Sequence, residues 1–190
     1  PLQGRKTPGF RTLGKTPVGV KVDDPQGIAK EMVEVMDEGI GKIVAKLDEL
    51  KLRERTLIIF CSDNGPAKVG SSGGLKGKKG SIYEGGHRVC GIFNWKGTLP
   101  AGVVNNQTML TMDMFPTFVK MAGGKLPEKN KLDGVDILPA LKGVELKRGE
   151  VYWGIKGSVA VREGKWKLIY NPKKVELYDL DADLAETKNV

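Results

Sequence analysis

The sequence predicts an α/β chain that ends in a small antiparallel β subdomain, and three observations carry that expectation. Residues 26–50 repeat apolar side chains at three- and four-residue steps, as one face of a helix does. An unbroken run of β-branched and aromatic residues, 56–61, follows almost at once. Beyond residue 146 the chain becomes a series of short apolar runs divided by Gly or Asn-Pro turns.

Residues 1–25 are rich in Gly, Pro and Lys and show little periodicity, so they read as an extended arm. Asp24-Pro25 is a helix start signal. The helix after it carries Ile28, Met32, Met36, Ile40, Ile43, Leu47 and Leu50 on one face. A continuous apolar strand directly after an amphipathic helix suggests a parallel sheet covered on both faces. In such sheets ligands bind beyond the carboxyl ends of the strands. Ser62-Asp63-Asn64-Gly65-Pro66 lies at that end. A glycine-rich loop fills 67–86, and residues 89–95 form a second apolar run. In the segment 108–122 the latter part reads as a helix, with Asp113 near its start and Pro116 in its first turn. Residues 137–141 suggest a short helical turn. Strands are expected at 151–153, 158–162, 166–170 and 176–180, as a meander with an aromatic face. Residues 1–145 are thus expected to form the α/β portion and 146–190 the antiparallel subdomain.

Composition narrows the function classes. Hydrophobic residues make up 39% and charged residues 28%, which suits a globular protein rather than a disordered or fibrous one. No apolar run approaches the ~20 residues that cross a bilayer. The opening residues have no apolar core of the signal-peptide kind, and a fragment would have lost any leader. The formal net charge of +8 suits an anionic partner, but the lysines are dispersed apart from Lys76, Lys78 and Lys79. No aromatic RNA-binding signature or basic helix accompanies them. Cys61 and Cys90 match no zinc spacing and are expected as separate buried thiols. A single histidine, His87, rules out any site within this chain that needs two His ligands.

The chemistry-bearing residues cluster around the first strand. Asp63 and Asn64 offer a carboxylate and an amide carbonyl, hard oxygens suited to Ca²⁺ or Mg²⁺ rather than zinc. Asp-Asn-Gly is also a common turn, so both readings stand on this triplet alone. Lys79, within the glycine-rich loop, is placed to bind a sulfate or phosphate oxygen or to sit in solvent as a surface lysine. Glu84 and Arg88 read either as site residues or as a pair that pins the loop. His87 reads as a loop residue, because no partner carboxylate or nucleophile can be tied to it from sequence.

Taken in order, these segments resemble the sulfatase family of the alkaline-phosphatase-like superfamily. The carriers are the strand ending in Ser62-Asp63-Asn64-Gly65, the stretch from Gly77-Lys78-Lys79-Gly80 through Glu84-Gly85-Gly86-His87-Arg88-Val89, and Asp113-Met114-Phe115-Pro116-Thr117. Asp133-Gly134-Val135-Asp136, Arg162-Glu163-Gly164-Lys165-Trp166-Lys167-Leu168 and Glu176-Leu177-Tyr178-Asp179-Leu180 also match. The resemblance implies the C-terminal part of an alkaline-phosphatase-like α/β/α sandwich and an activity of sulfuric ester hydrolysis. It implies that Asp63 and Asn64 are calcium ligands and that Lys79 contacts the sulfate of the substrate, a sulfate ester such as a sulfated carbohydrate. It also implies an exported enzyme, periplasmic, secreted or lysosomal. Cys90 stands where the family usually has proline.

Family members carry an upstream Cys/Ser-x-Pro-x-Arg motif whose Cys or Ser becomes a formylglycine nucleophile. Neither Cys61-Ser62-Asp63 nor Cys90-Gly91-Ile92 fits it, and Pro1-Leu2-Gln3 resembles the tail of a family His-x-Pro-Leu segment. The chain is therefore expected to supply half of a calcium site, completed by an N-terminal half of the same enzyme, and to be inactive alone. Two other readings remain at this point: a phosphodiester or phosphonate hydrolase on the same scaffold, and a non-catalytic polyanion-binding module.

Overall fold

A computed structural model describes residues 24–190 of the chain. The arm expected at 1–25 and the Pro1-Leu2-Gln3 match fall on or overlap the residues outside that range.

Helix α1 spans Pro25–Glu49, within a residue of the sequence expectation. Asp24 caps it by accepting from the Gly27 amide at 2.8 Å, and Pro25, lacking an amide proton, costs nothing in the first turn. At the far end Lys51 adopts a left-handed conformation (φ 55°) and the Leu52 amide closes back on the Leu47 carbonyl at 2.8 Å. The apolar stripe is present but only partly covered: Ile28, Ile40 and Leu47 are half-buried, Met32, Val33, Met36 and Ile43 are exposed, and no residue of α1 is buried.

A short 3-10 turn, Arg53–Arg55, leads into β1, Ile58–Cys61. Its partner is β2, Gly91–Asn94, and here the structure corrects the sequence reading. The pair is antiparallel, with Ile58 opposite Asn94 and Cys61 opposite Gly91, and the described residues contain no parallel pair. The physical reason lies in the connection. Residues 62–90 return as a glycine-rich loop that reverses the chain, whereas a parallel neighbour needs a crossover. Cys61 and Cys90 are free and exposed rather than buried, because the two-stranded ladder has little packed over it.

Between β1 and β2 lies one short helix, α2, Glu84–His87, whose Glu84, Gly85 and Gly86 are all buried. Thr111–Asp113 forms a 3-10 turn that runs into α3, Met114–Met121. Asp113 is fully buried and accepts from the Leu110 amide at 2.7 Å, the Val135 amide at 3.0 Å and the Arg148 guanidinium. Thr117 donates to the Asp113 carbonyl at 2.6 Å and accepts from the Ile137 amide at 3.0 Å. The Asp-x-x-Pro-Thr segment therefore fastens α3 to the 133–137 loop and to α4, Leu138–Leu141.

The C-terminal meander forms as the turns predict. Strands β3 (Val151–Ile155), β4 (Ser158–Glu163), β5 (Trp166–Asn171) and β6 (Lys174–Asp179) lie in sequential antiparallel order. Lys156-Gly157, both at positive φ, make the two-residue link between β3 and β4. Asn171 caps the last turn by accepting from the Lys173 and Lys174 amides. The aromatic side chains divide between two faces. Tyr152, Trp166 and Tyr170 are exposed, while Tyr178 is buried and Trp153 packs against the core to which Tyr178 belongs. Ile82, Ala160, Ile169, Tyr178 and Leu180 form the hydrophobic core between the sheet and the loop that carries α2.

Candidate active site

The turn after β1 is built from its own backbone. Ser62 donates its hydroxyl to the Asn64 carbonyl at 2.9 Å, and the Asn64 amide group donates to the Gly65 carbonyl at 3.0 Å. That bond leaves the amide oxygen of Asn64 as its atom available to a cation. Asp63 is exposed and makes no hydrogen bond or ion pair with the described residues. Two hard oxygens are thus offered at the end of β1, a donor set that fits a calcium-type ion. Among the described residues no three of His, Cys, Asp and Glu gather into a metal-binding group.

Lys79 is held beside this turn through its backbone: its amide donates to the Pro66 carbonyl at 3.0 Å, and its side chain is exposed. Of the three lysines clustered in the sequence, Lys76 goes elsewhere. Its ammonium donates to the Tyr178 hydroxyl and to the Glu186 carbonyl, each at 3.0 Å, and lies 4.1 Å from the centre of the Tyr83 ring. Of the three, Lys78 and Lys79 are exposed.

Both pieces rest on α2. The Gly65 amide donates to the Gly86 carbonyl at 2.9 Å, and the Gly85 amide to the Lys76 carbonyl at 2.7 Å. A Cβ on Gly65 would overlap the Gly85 carbonyl, and one on Gly86 would overlap the Ser81 carbonyl. These glycines are required by close backbone approach.

Glu84, at the start of α2, is the centre of a buried charge cluster. It accepts from the Lys167 ammonium at 3.0 Å and from Arg88 at 3.2 Å, so the Glu84–Arg88 pairing foreseen from sequence is present. Lys167 also lies 2.7 Å from Glu186, whose other oxygen accepts the Glu84 amide at 2.6 Å. Burial pushes the Glu84 carboxyl up, but the Lys167 charge and hydrogen bond, with His87 and Arg88, hold it below the usual range. Burial wins at Glu186 and raises it despite Lys167. His87 packs edge-on against Trp153, with ring centres 4.7 Å apart. Burial, then the nearby Lys167 charge, keep its pKa below the ordinary value although Glu84 pulls the other way. A second cluster ties the same loop to β6: Glu176 accepts from Tyr83 at 2.7 Å and from Lys174 at 2.9 Å. Burial raises Glu176, yet hydrogen bonds from Tyr178, Lys174 and Tyr83 bring it down to about 2.

Sequence reading missed Lys167, Glu176 and Glu186. A charge at an inward position of an alternating strand was the available signal for the first two. A cleft of about 670 Å³ opens beside Asp63, with His87, Arg88, Trp153 and Arg162 also in its wall.

The sequence model of the sulfatase family matches residues 30–124. The chain is 42% identical to the steryl-sulfatase of Homo sapiens over 128 residues, 62% of this chain and 22% of that protein. It is 35% identical to the N-acetylgalactosamine-6-sulfatase of Canis lupus familiaris over 145 residues, 72% of this chain and 28% of that protein. The crystal structure of Ps i-CgsB superposes with a TM-score of 0.82 at 33% identity, over 92% of this chain and 40% of that one, and the same protein has been solved with k-i-k-neocarrahexaose. Another neighbour, 25% identical with a TM-score of 0.70 over 83% of this chain and 34% of its own, was solved with its substrate D-glucosamine-2-N,6-O-disulfate. The chain therefore spans well under half the length of each of these relatives. With the family model covering half of its residues and sulfatases among its relatives, the chain belongs to the sulfatase family and has the C-terminal portion of the alkaline-phosphatase-like fold.

Proposed function

We propose that this chain takes part in hydrolysis of a sulfuric ester, with Lys79 on the sulfate and Asp63 and Asn64 on a calcium ion. The observation that carries this reading is the 3.0 Å bond from the Lys79 amide to the Pro66 carbonyl, which seats the lysine loop on the Asp63-Asn64 turn. An exposed ammonium and two hard oxygen donors thereby share one loop cluster. Lys79 binds a sulfate oxygen and neutralises charge that grows on it as the ester bond breaks. Asp63 and Asn64 hold the metal by oxygen contacts, and other ligands, from residues outside this chain, complete the roughly six to eight that calcium takes. A calcium ion held by these residues would supply positive charge that favours binding of the anionic sulfate. The nucleophile, a formylglycine from a Cys/Ser-x-Pro-x-Arg motif, likewise comes from residues outside this chain, in an N-terminal half of the same enzyme. The substrate is proposed to be a sulfated carbohydrate, supported by the sugar complexes of two structural neighbours. We propose an exported compartment, by analogy with the family. Among the described residues no helix is long and apolar enough to cross a membrane.

The test is made on the polypeptide that carries these residues together with its upstream half. Sulfate esters are expected to be cleaved in preference to phosphate diesters and phosphonates, and Lys79→Ala is expected to lower kcat/KM about 10²-fold or more. Asp63→Ala is expected to weaken calcium binding, read by calorimetry. Faster turnover of phosphate diesters would assign the site to the phosphoester branch instead. Salt-sensitive retention of heparin-like polymers without turnover would mark a binding module.

A further inference from the structure

The buried ion cluster is a poor way to stabilise a fold. Glu84, Lys167 and Glu186 are each at most 1% exposed, so two carboxylates and an ammonium have all been taken out of water. Replacing such a group by well-packed apolar residues is often neutral or stabilising, because the desolvation penalty rivals the attraction. At Glu186 burial raises the carboxyl in spite of Lys167. What the cluster does secure is direction. Lys167 comes from β5, Glu186 from the C-terminal tail and Glu84 from the first residue of α2, and their contacts fix α2 against the sheet at 3.0 Å, 2.7 Å and 2.6 Å.

Both halves of the proposed sulfate site are seated on α2. The Asp63-Asn64 turn reaches it through the Gly65 amide on the Gly86 carbonyl, and the lysine loop through the Gly85 amide on the Lys76 carbonyl. Neither seat has slack, because a single Cβ at Gly65, Gly85 or Gly86 would overlap a backbone carbonyl. A shift of α2 therefore moves the metal-ligand turn and Lys79.

We propose that Lys167 is a positioning residue for this site: acting through Glu84 and with Glu186, it fixes α2 and so sets the placement of Lys79 relative to Asp63 and Asn64. The proposal rests on the functional reading above for what is positioned.

The test uses Lys167→Met on the full chain, with Glu186→Gln as the variant that keeps volume if the first does not fold. Hydrogen exchange is read at the Gly65, Lys79, Ser81 and Gly85 amides, each of which donates a backbone hydrogen bond. Either variant is expected to speed exchange there about tenfold or more, while amides of the β4–β5 ladder change less than about threefold. Equal loosening of ladder and loop, or an unchanged loop, would show that Lys167 serves only the sheet and would overturn the proposal. The second readout is sulfate-ester hydrolysis by the polypeptide that also carries the upstream half. There kcat/KM is expected to fall about tenfold or more, chiefly in kcat. An unchanged kcat with a loosened loop would equally overturn the proposal. If the unsubstituted polypeptide cleaves no sulfate ester, the functional reading fails, and the exchange pattern alone still decides whether Lys167 positions the loop.

Discussion

His87 illustrates how a single side chain reports on its surroundings. It is the one histidine of the chain, and its Nε2 lies 3.3 Å from the Lys167 ammonium and 3.6 Å from Glu84. Trp153 covers one side, and Arg162 adds a further positive charge nearby. Burial and the two cations outweigh Glu84, so the folded protein holds the ring neutral below the ordinary pKa of 6.5. The unfolded chain then binds more protons than the folded one between the lowered pKa and 6.5, and stability rises with pH across that window. Glu84, held below its usual value of 4.5, works in the same direction at lower pH. Glu186, raised above 4.5, works against both, because the folded state keeps its proton longer. The expected outcome is a urea midpoint that falls as pH drops below 6.5, with a shallower slope in His87→Gln. A slope unchanged by that substitution would mean that the ring stays uncoupled from folding.

At the scale of elements, the Asp-x-x-Pro-Thr segment acts as a clasp whose centre is Asp113. The carboxylate holds two backbone amides and Arg148, 35 residues away, and its burial is complete. Removing its charge strands a guanidinium that is itself only 10% exposed. Asp113→Asn is therefore expected to cost about 3–5 kcal/mol in thermal or urea unfolding. Val135 should lose amide protection with it, whereas β5 should keep its own; equal loss in both would point to general unfolding instead. The sequence revealed elements of this kind unevenly. Helix α1 was legible because Asp24-Pro25 and the apolar repeat are local signals, and the meander because its turns are. The antiparallel β1–β2 pairing was not, since an apolar run does not encode the direction of its neighbour. The Glu84–Lys167 and Glu84–Glu186 contacts were hidden for another reason: they join residues 83 and 102 positions apart. Motif order proposes Asp63, Asn64 and Lys79 as a group, but nothing in that order shows that both of their loops hydrogen-bond to α2.

For the whole molecule, the balance is between apolar surface and charge. Met32, Val33, Met36 and Ile43 stand 44–60% exposed along α1, and Tyr152, Val159, Tyr170 and Val175 stand 52–71% exposed on the outer face of the sheet. Exposed patches of this kind mark contact surfaces or association liabilities. Opposing association is a formal charge of +8, which repels like copies over about 10 Å at 0.1 M salt. Salt removes the repulsion and leaves the apolar attraction, so the two terms separate in one titration. Sedimentation velocity of the 190-residue chain is expected to show self-association that grows as salt is raised. Met36→Glu with Ile43→Glu should suppress it if α1 is the sticking face, and Tyr170→Glu with Val175→Glu if the sheet is. The structure favours α1, because four of its large apolar residues lie on one continuous helix that has no buried residue at all. Association that weakens with salt would instead identify charge pairing between copies as its cause. A chain that stays monomeric at every salt concentration would show that these faces tolerate water.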